Sequence, residues 1–190
     1  MTLGNVGIAF SLEFESQVWL EVPIASVRDS LDARRAWCLD AAGRWQVDPA
    51  WEYDQTALAA VLEAQLDRLD PSSNAWLLYC PRGLPAVAGF ELHLDAPQPG
   101  LDVEQEVRAL RSLVPIRPEA VVARGLGAGF AFSRQLERVS EDDPGVRAEL
   151  GAVFNTPDAF VFAIARGDDP ASLVAMAPDF WTLVESIVLG

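Results

Sequence analysis

The 190-residue chain contains no lysine. All 14 of its basic residues are arginine, set against 28 Asp and Glu, and the formal net charge is −14. Affinity for nucleic-acid backbones comes mainly from clustered cations that release counterions, so this balance argues against DNA or RNA as a partner. An acidic surface repels anionic lipid headgroups for the same reason, and no membrane association is expected. Histidine is almost absent too. His93 is the sole one, so any Ser-His-Asp or Cys-His unit would have to use it, and an ordinary zinc site lacks ligands. Cys38 and Cys80 stand far apart, neither in a CxxC pair, and read as buried free thiols rather than metal ligands or a redox couple. No apolar run approaches 18 residues, so no membrane-spanning helix is expected. The opening Met-Thr-Leu-Gly-Asn lacks the basic and apolar regions of a secretory signal, and the expected location is the cytoplasm.

What is present is an ordinary globular composition, 51% hydrophobic with a mean hydropathy of +0.15. A chain of this length buries roughly 70% of the surface its unfolded form exposes, which is enough for one core without staples. We read residues 1–190 as a single domain. Strict alternation from Val6 to Phe14 predicts a half-buried strand, and Val18, Leu20, Val22 and Ile24 repeat the pattern after a hairpin tip at 15–17. The segment 26–40 carries a capping-box-like start at Ser26 and Asp29 and predicts a helix. Between 54 and 69, Leu58, Val61, Leu62, Leu66 and Leu69 recur at spacings of three and four behind Asp54, a second helix. Strands are expected at 74–80 and 86–94, and a helix from 102 to 114 with acids early and arginines late. Further strands are predicted at 119–124, 129–139, 147–154 and 158–166. A helical end follows, with Asp169 as cap and a second start at Pro178.

The stretch GLGAGF, residues 125–130, invites a phosphate-loop reading. A phosphate loop opens a helix, whose N-terminal amides hold the anion. Here Phe130, Phe132 and Leu136 continue with a period of two, so the glycines mark a turn or bulge between strands. His93 alternates onto the side of Glu91, away from Phe90, Leu92 and Leu94, a position expected to face solvent. Two Asp-Asp-Pro triplets, at 142–144 and 168–170, fit turn and cap roles, because Asp accepts hydrogen bonds from nearby backbone amides. No catalytic residue, metal site or cofactor motif emerges, and the expectation is a protein that is not an enzyme.

One group resists a structural reading alone. Trp37, Trp45 and Trp51 fall within 15 positions, with Tyr53 beside them and Arg34 and Arg35 upstream. Tryptophan and arginine are enriched at interface hot spots, where a large rigid area is buried while a polar edge finds a partner. The alternative is a roof over the core.

Two stretches carry a resemblance to a known group: the hairpin PIRPEAVVARGLGAGFAFSRQL and the closing AFVFAIARGDDPASLVAMAPDFWTLVESIVL. Together with the order of elements, they resemble the PsbP-like proteins. The resemblance implies an α+β fold, a mainly antiparallel sheet flanked by helices in an α/β/α sandwich, and a role in binding or assembly. The leading functional expectation is therefore a non-enzymatic adaptor that engages a protein partner through its acidic surface and the residues Trp37, Trp45, Trp51, Tyr53, Arg34 and Arg35. The alternative is a small-molecule binder or cryptic enzyme with a pocket between sheet and helices, where Arg134 or Arg138 orients an anionic ligand. A homo-oligomeric subunit is the third reading.

Overall fold

The computed structural model describes residues 7–45, 54–81, 88–138, 145–167 and 170–190. The chain is α+β, with a large, mainly antiparallel sheet and flanking helices. Along it run β1 (Phe10–Ser11), β2 (Trp19–Glu21), α1 (Ile24–Arg28), α2 (Leu31–Arg44), α3 (Gln55–Leu66), β3 (Ala75–Tyr79) and β4 (Ala88–Asp95). Then come α4 (Val103–Ala109), β5 (Glu119–Ala123), β6 (Gly127–Arg138), β7 (Gly145–Asn155), β8 (Phe160–Gly167), α5 (Pro170–Glu185) and β9 (Val188–Leu189). Seven strands bond in the order β2-β3-β4-β8-β7-β6-β5, and β1 pairs separately with β9. The described residues gather into two compact units, Glu15–Glu91 and the remainder.

In the unit Glu15–Glu91, α2 and α3 pack together over a core that includes Cys38, Trp45, Leu58, Leu62, Trp76 and Leu78. Asp54 caps α3 as its spacing implies, with its carboxylate accepting from the Thr56 amide. The capping box expected at Ser26 and Asp29 does not form. Pro23 opens the short α1, Asp29 ends it, and Ser30 caps α2 by accepting from Ala33 N–H. Ser30 is extended (φ −143°, ψ 115°), and that break prevents one continuous helix.

The hairpin expected at 15–17 does not form either. A tight turn, with the Val18 and Trp19 amides on the Glu15 carbonyl, delivers β2 to β3 instead, and β1 goes to β9. The alternating exposure predicted for the first strand is present from Gly7 to Glu15, yet only two residues of it join a ladder. Alternation reports which side is buried. It says nothing about which strand lies alongside.

In the second unit, β5 to β8 form consecutive antiparallel pairs. The GLGAGF glycines lie in the β5–β6 hairpin: Leu126 N–H donates to the Ala123 carbonyl and Gly127 follows at φ +74°. Turn and strand, not a phosphate loop, are what the structure holds there. Gly151 lies opposite Phe132, whose ring rests where a Cβ would project. One face of these strands presents Phe130, Phe132, Val153, Phe160 and Phe162 to Val103 and Val107 of α4. The opposite face buries Ala152, Phe154, Val161, Ala163 and Ala165, and α5 lies on β7 and β8 through Leu173, Met176, Phe180, Leu183 and Val184. The small alanines let the helix approach closely.

Two helix ends depart from expectation. α4 stops at Ala109 rather than near 114, because Leu110 turns extended and Ser112 and Leu113 bond to Gln135 of β6 beyond the reach of β5. α5 runs straight through Pro178, so no second start exists there. Pro178 is exposed, as is Val174 one turn before it, so the carbonyl that loses its amide partner faces water.

Candidate functional site

Beyond the part of the sheet that α4 covers, the same face turns from aromatic to charged. Direct antiparallel partners place their side chains on one face, and the register sets Arg134 opposite Glu149 and Glu149 opposite Arg166. Arg147 lies two residues before Glu149 on β7 and therefore on that face as well. Three guanidiniums thus converge on one carboxylate.

The geometry is tight around Glu149, whose side chain is fully buried. Arg134 Nε donates to Oε2 at 2.6 Å, with its Nη2 at 2.6 Å from the same oxygen, and Arg166 Nε donates to Oε1 at 3.0 Å. Arg147 Nη2 approaches Oε1 at only 3.3 Å. The exposure of the three arginine side chains rises in step, 13% for Arg134, 19% for Arg166 and 35% for Arg147. Arg134 also lies 6.0 Å over the Phe132 ring, which stacks at 6.2 Å on Phe162. Sheet register, aromatic contact and a buried carboxylate together hold the first two guanidiniums in place.

Arg147 keeps one donor unused: its Nε is shielded from solvent and has no hydrogen-bond partner among the described residues, and such a group suits a further anion. His93, expected to face solvent, is half-buried with its ring 6.0 Å from Phe162. Glu91, on the same side of β4, is fully buried.

The residues singled out around the tryptophans are distributed differently. Trp45 is buried in the core at 7% exposure, and its Nε1 has no hydrogen-bond partner among the described residues. Trp37 is half-buried against the same core. Arg34 reaches across to α3, donating to the Glu63 carbonyl at 2.6 Å and to Asp67 at 2.7 Å. Arg35 is exposed, 3.5 Å from the Glu63 carboxylate. Trp51 and Tyr53 lie outside the described residues, as do Asp142, Asp143, Asp168 and Asp169.

Both cysteines are buried free thiols, as expected. Burial, with the Glu63 carboxylate next, raises the Cys38 thiol to about 11, and burial alone pushes Cys80 up. Neither is suited to nucleophilic work at neutral pH. Among the described residues, no cluster of three or more His, Cys, Asp or Glu could hold a metal ion, and no helix is long and apolar enough to cross a membrane.

Of the arginine cluster, sequence reasoning named Arg134 and missed Glu149, Arg147 and Arg166. The available signal was local: Arg147 and Glu149 occupy alternate positions of a strand that is apolar further on. Arg138, named with Arg134, is the last residue of β6.

No known family and no curated protein matches the chain. Among solved structures it is similar to LpqN, described as involved in cell envelope biogenesis of Mycobacterium tuberculosis, at 10% identity and a TM-score of 0.45, over 96% of this chain and 83% of that one.

Proposed function

We propose that this chain is a non-enzymatic binding protein and that the arginine cluster around Glu149 holds an anionic group of its ligand. The observation that carries the reading is the Nε of Arg147, shielded from solvent and without an acceptor among the described residues. A part-buried guanidinium with a shielded N–H is a good receptor for oxyanions, because charge-assisted hydrogen bonds are stronger where water competes less. The rest of the chain contributes selectivity. A net charge of −14 repels polyanions, so nucleic acids and heavily phosphorylated partners are disfavoured and a small or singly charged ligand is preferred. A PsbP-like kinship and a cytoplasmic location belong to this reading as its setting.

Thermal denaturation against a panel of organic anions, each compared with chloride at equal ionic strength, tests the proposal. A ligand at 100 times its Kd stabilises by about 2.7 kcal/mol, well within what a melting curve resolves. Repeating the panel on Arg134→Gln should abolish the response. A flat response of the unaltered protein across the panel would count against the site.

A second reading, the adaptor that engages a protein partner, retains one specific support. Arg28, Arg34, Arg35, Arg44 and Arg108 each pair with an acid on their own surface, which leaves the excess carboxylates to define the exterior. In that reading Trp37 and Arg35 are the contact residues that remain accessible, with Trp51 and Tyr53 beside them in sequence. A basic partner released by salt is its expected signature.

A further inference from the structure

Within the cluster the three arginines are not equivalent. Arg134 gives Nε and Nη2 to Glu149 Oε2, and Arg166 gives Nε to Oε1. Those contacts take up both oxygens of the carboxylate. Arg147 is left with one 3.3 Å approach through Nη2 and a buried Nε that finds no acceptor among the described residues. A shielded N–H without an acceptor is costly, so an oxygen placed there recovers that cost.

One neighbour restricts what that oxygen can belong to. The cross-strand partner of Arg147 is Leu136 of β6, half-buried on the same face, so the surface beside the guanidinium is apolar.

We infer that the Nε–Nη2 edge of Arg147 is the receiving group of this site and that it takes the carboxylate of an organic acid, with the acid's apolar stem lying against Leu136. The planar guanidinium edge matches the two oxygens of a carboxylate side by side. In taking the ligand, Nη2 exchanges its long contact with Glu149 for a shorter one, and Glu149 keeps Arg134 and Arg166 fixed. Arg147 is the receiving member of the trio and its partners are the frame. This inference rests on the anion-binding reading above and adds the residue and the ligand class.

The test is calorimetric titration of the whole protein at pH 7 with hexanoate, acetate, phosphate and sulfate at matched ionic strength. The variants are Arg147→Gln, Leu136→Ser and, as a frame variant, Arg134→Gln, each checked for folding by circular dichroism. Hexanoate should bind the unaltered protein more tightly than acetate. Arg147→Gln should weaken hexanoate by at least about tenfold, and Leu136→Ser should bring hexanoate down towards acetate. Phosphate or sulfate binding more tightly than either carboxylate would overturn the ligand class while leaving an anion site in place. Hexanoate binding unchanged in Arg147→Gln but lost in Arg134→Gln would overturn the role of Arg147 and preserve the broader reading. No binding of any anion to the unaltered protein would remove both.

Discussion

Replacing Glu149 with glutamine keeps the shape of the side chain and deletes its charge, which isolates what the carboxylate does for the strands around it. Glu149 is fully buried, and Arg134 and Arg166 retain only 13% and 19% of their side-chain exposure, so the substitution removes the charge that both guanidiniums face in a place water scarcely reaches. Removing one partner of such a buried arrangement costs about 3–5 kcal/mol. Arg147, about one-third exposed, adds little, since solvent screens its loss. With a urea dependence of about 2 kcal/mol/M, the midpoint of unfolding should fall by about 1.5–2.5 M with the slope unchanged. A double-mutant cycle with Arg134→Gln should return a coupling energy above about 1.5 kcal/mol, since the two residues share one contact. A loss below about 1 kcal/mol in Glu149→Gln would refute the reasoning. It would mean that water screens the cluster and that strand register, not the carboxylate, holds the arginines.

Two further consequences are open to measurement. Gly151→Ala drives a methyl group into the Phe132 ring on β6, and overpacking of that kind costs about 1–3 kcal/mol. The melting temperature should drop, and Phe132→Leu in the same chain should recover part of the loss by clearing the space. The Cys38 thiol, raised to about 11 in the folded protein against 9.0 for an unperturbed thiol, ties stability to alkaline pH. Below pH 9 the folded and unfolded chains bind the same proton. Between pH 9 and 11 the unfolded chain releases it and the folded chain does not, so stability falls as pH rises through that window. Cys38→Ala should flatten that part of the profile, which denaturant titration from pH 8 to 11 would show.

The sequence by itself determined the kinds of element and much of their placement. The leucine spacing of α3 and the Asp54 cap are local, and both appear where periodicity puts them. The same holds for the apolar strands β3 and β8, whose residues exclude water whatever lies beside them. The glycines at 125–129 were legible as a turn because the residues after them alternate. Helix ends were less legible: α4 stops early through bonds to Gln135, a residue more than twenty positions on. Composition likewise settled the global charge, since lysine is absent and acids outnumber arginines two to one.

Tertiary structure decided which residues meet. Hydrophobic alternation is satisfied by any partner strand of the right pattern, so it could not send β1 to β9 or β2 to β3. Nor could it show that Glu91, on the polar side of β4, is fully buried. Trp45 entered the core because α2 packs on α3, although nothing in its sequence neighbourhood distinguishes it from an exposed anchor. The arginine cluster is the clearest case. Arg134, Glu149 and Arg166 lie 15 and 17 positions apart, on three strands, and only the register of β6, β7 and β8 sets them side by side. Local propensity acts over a few residues, whereas register is set by the packing of whole faces, and the site belongs to the second.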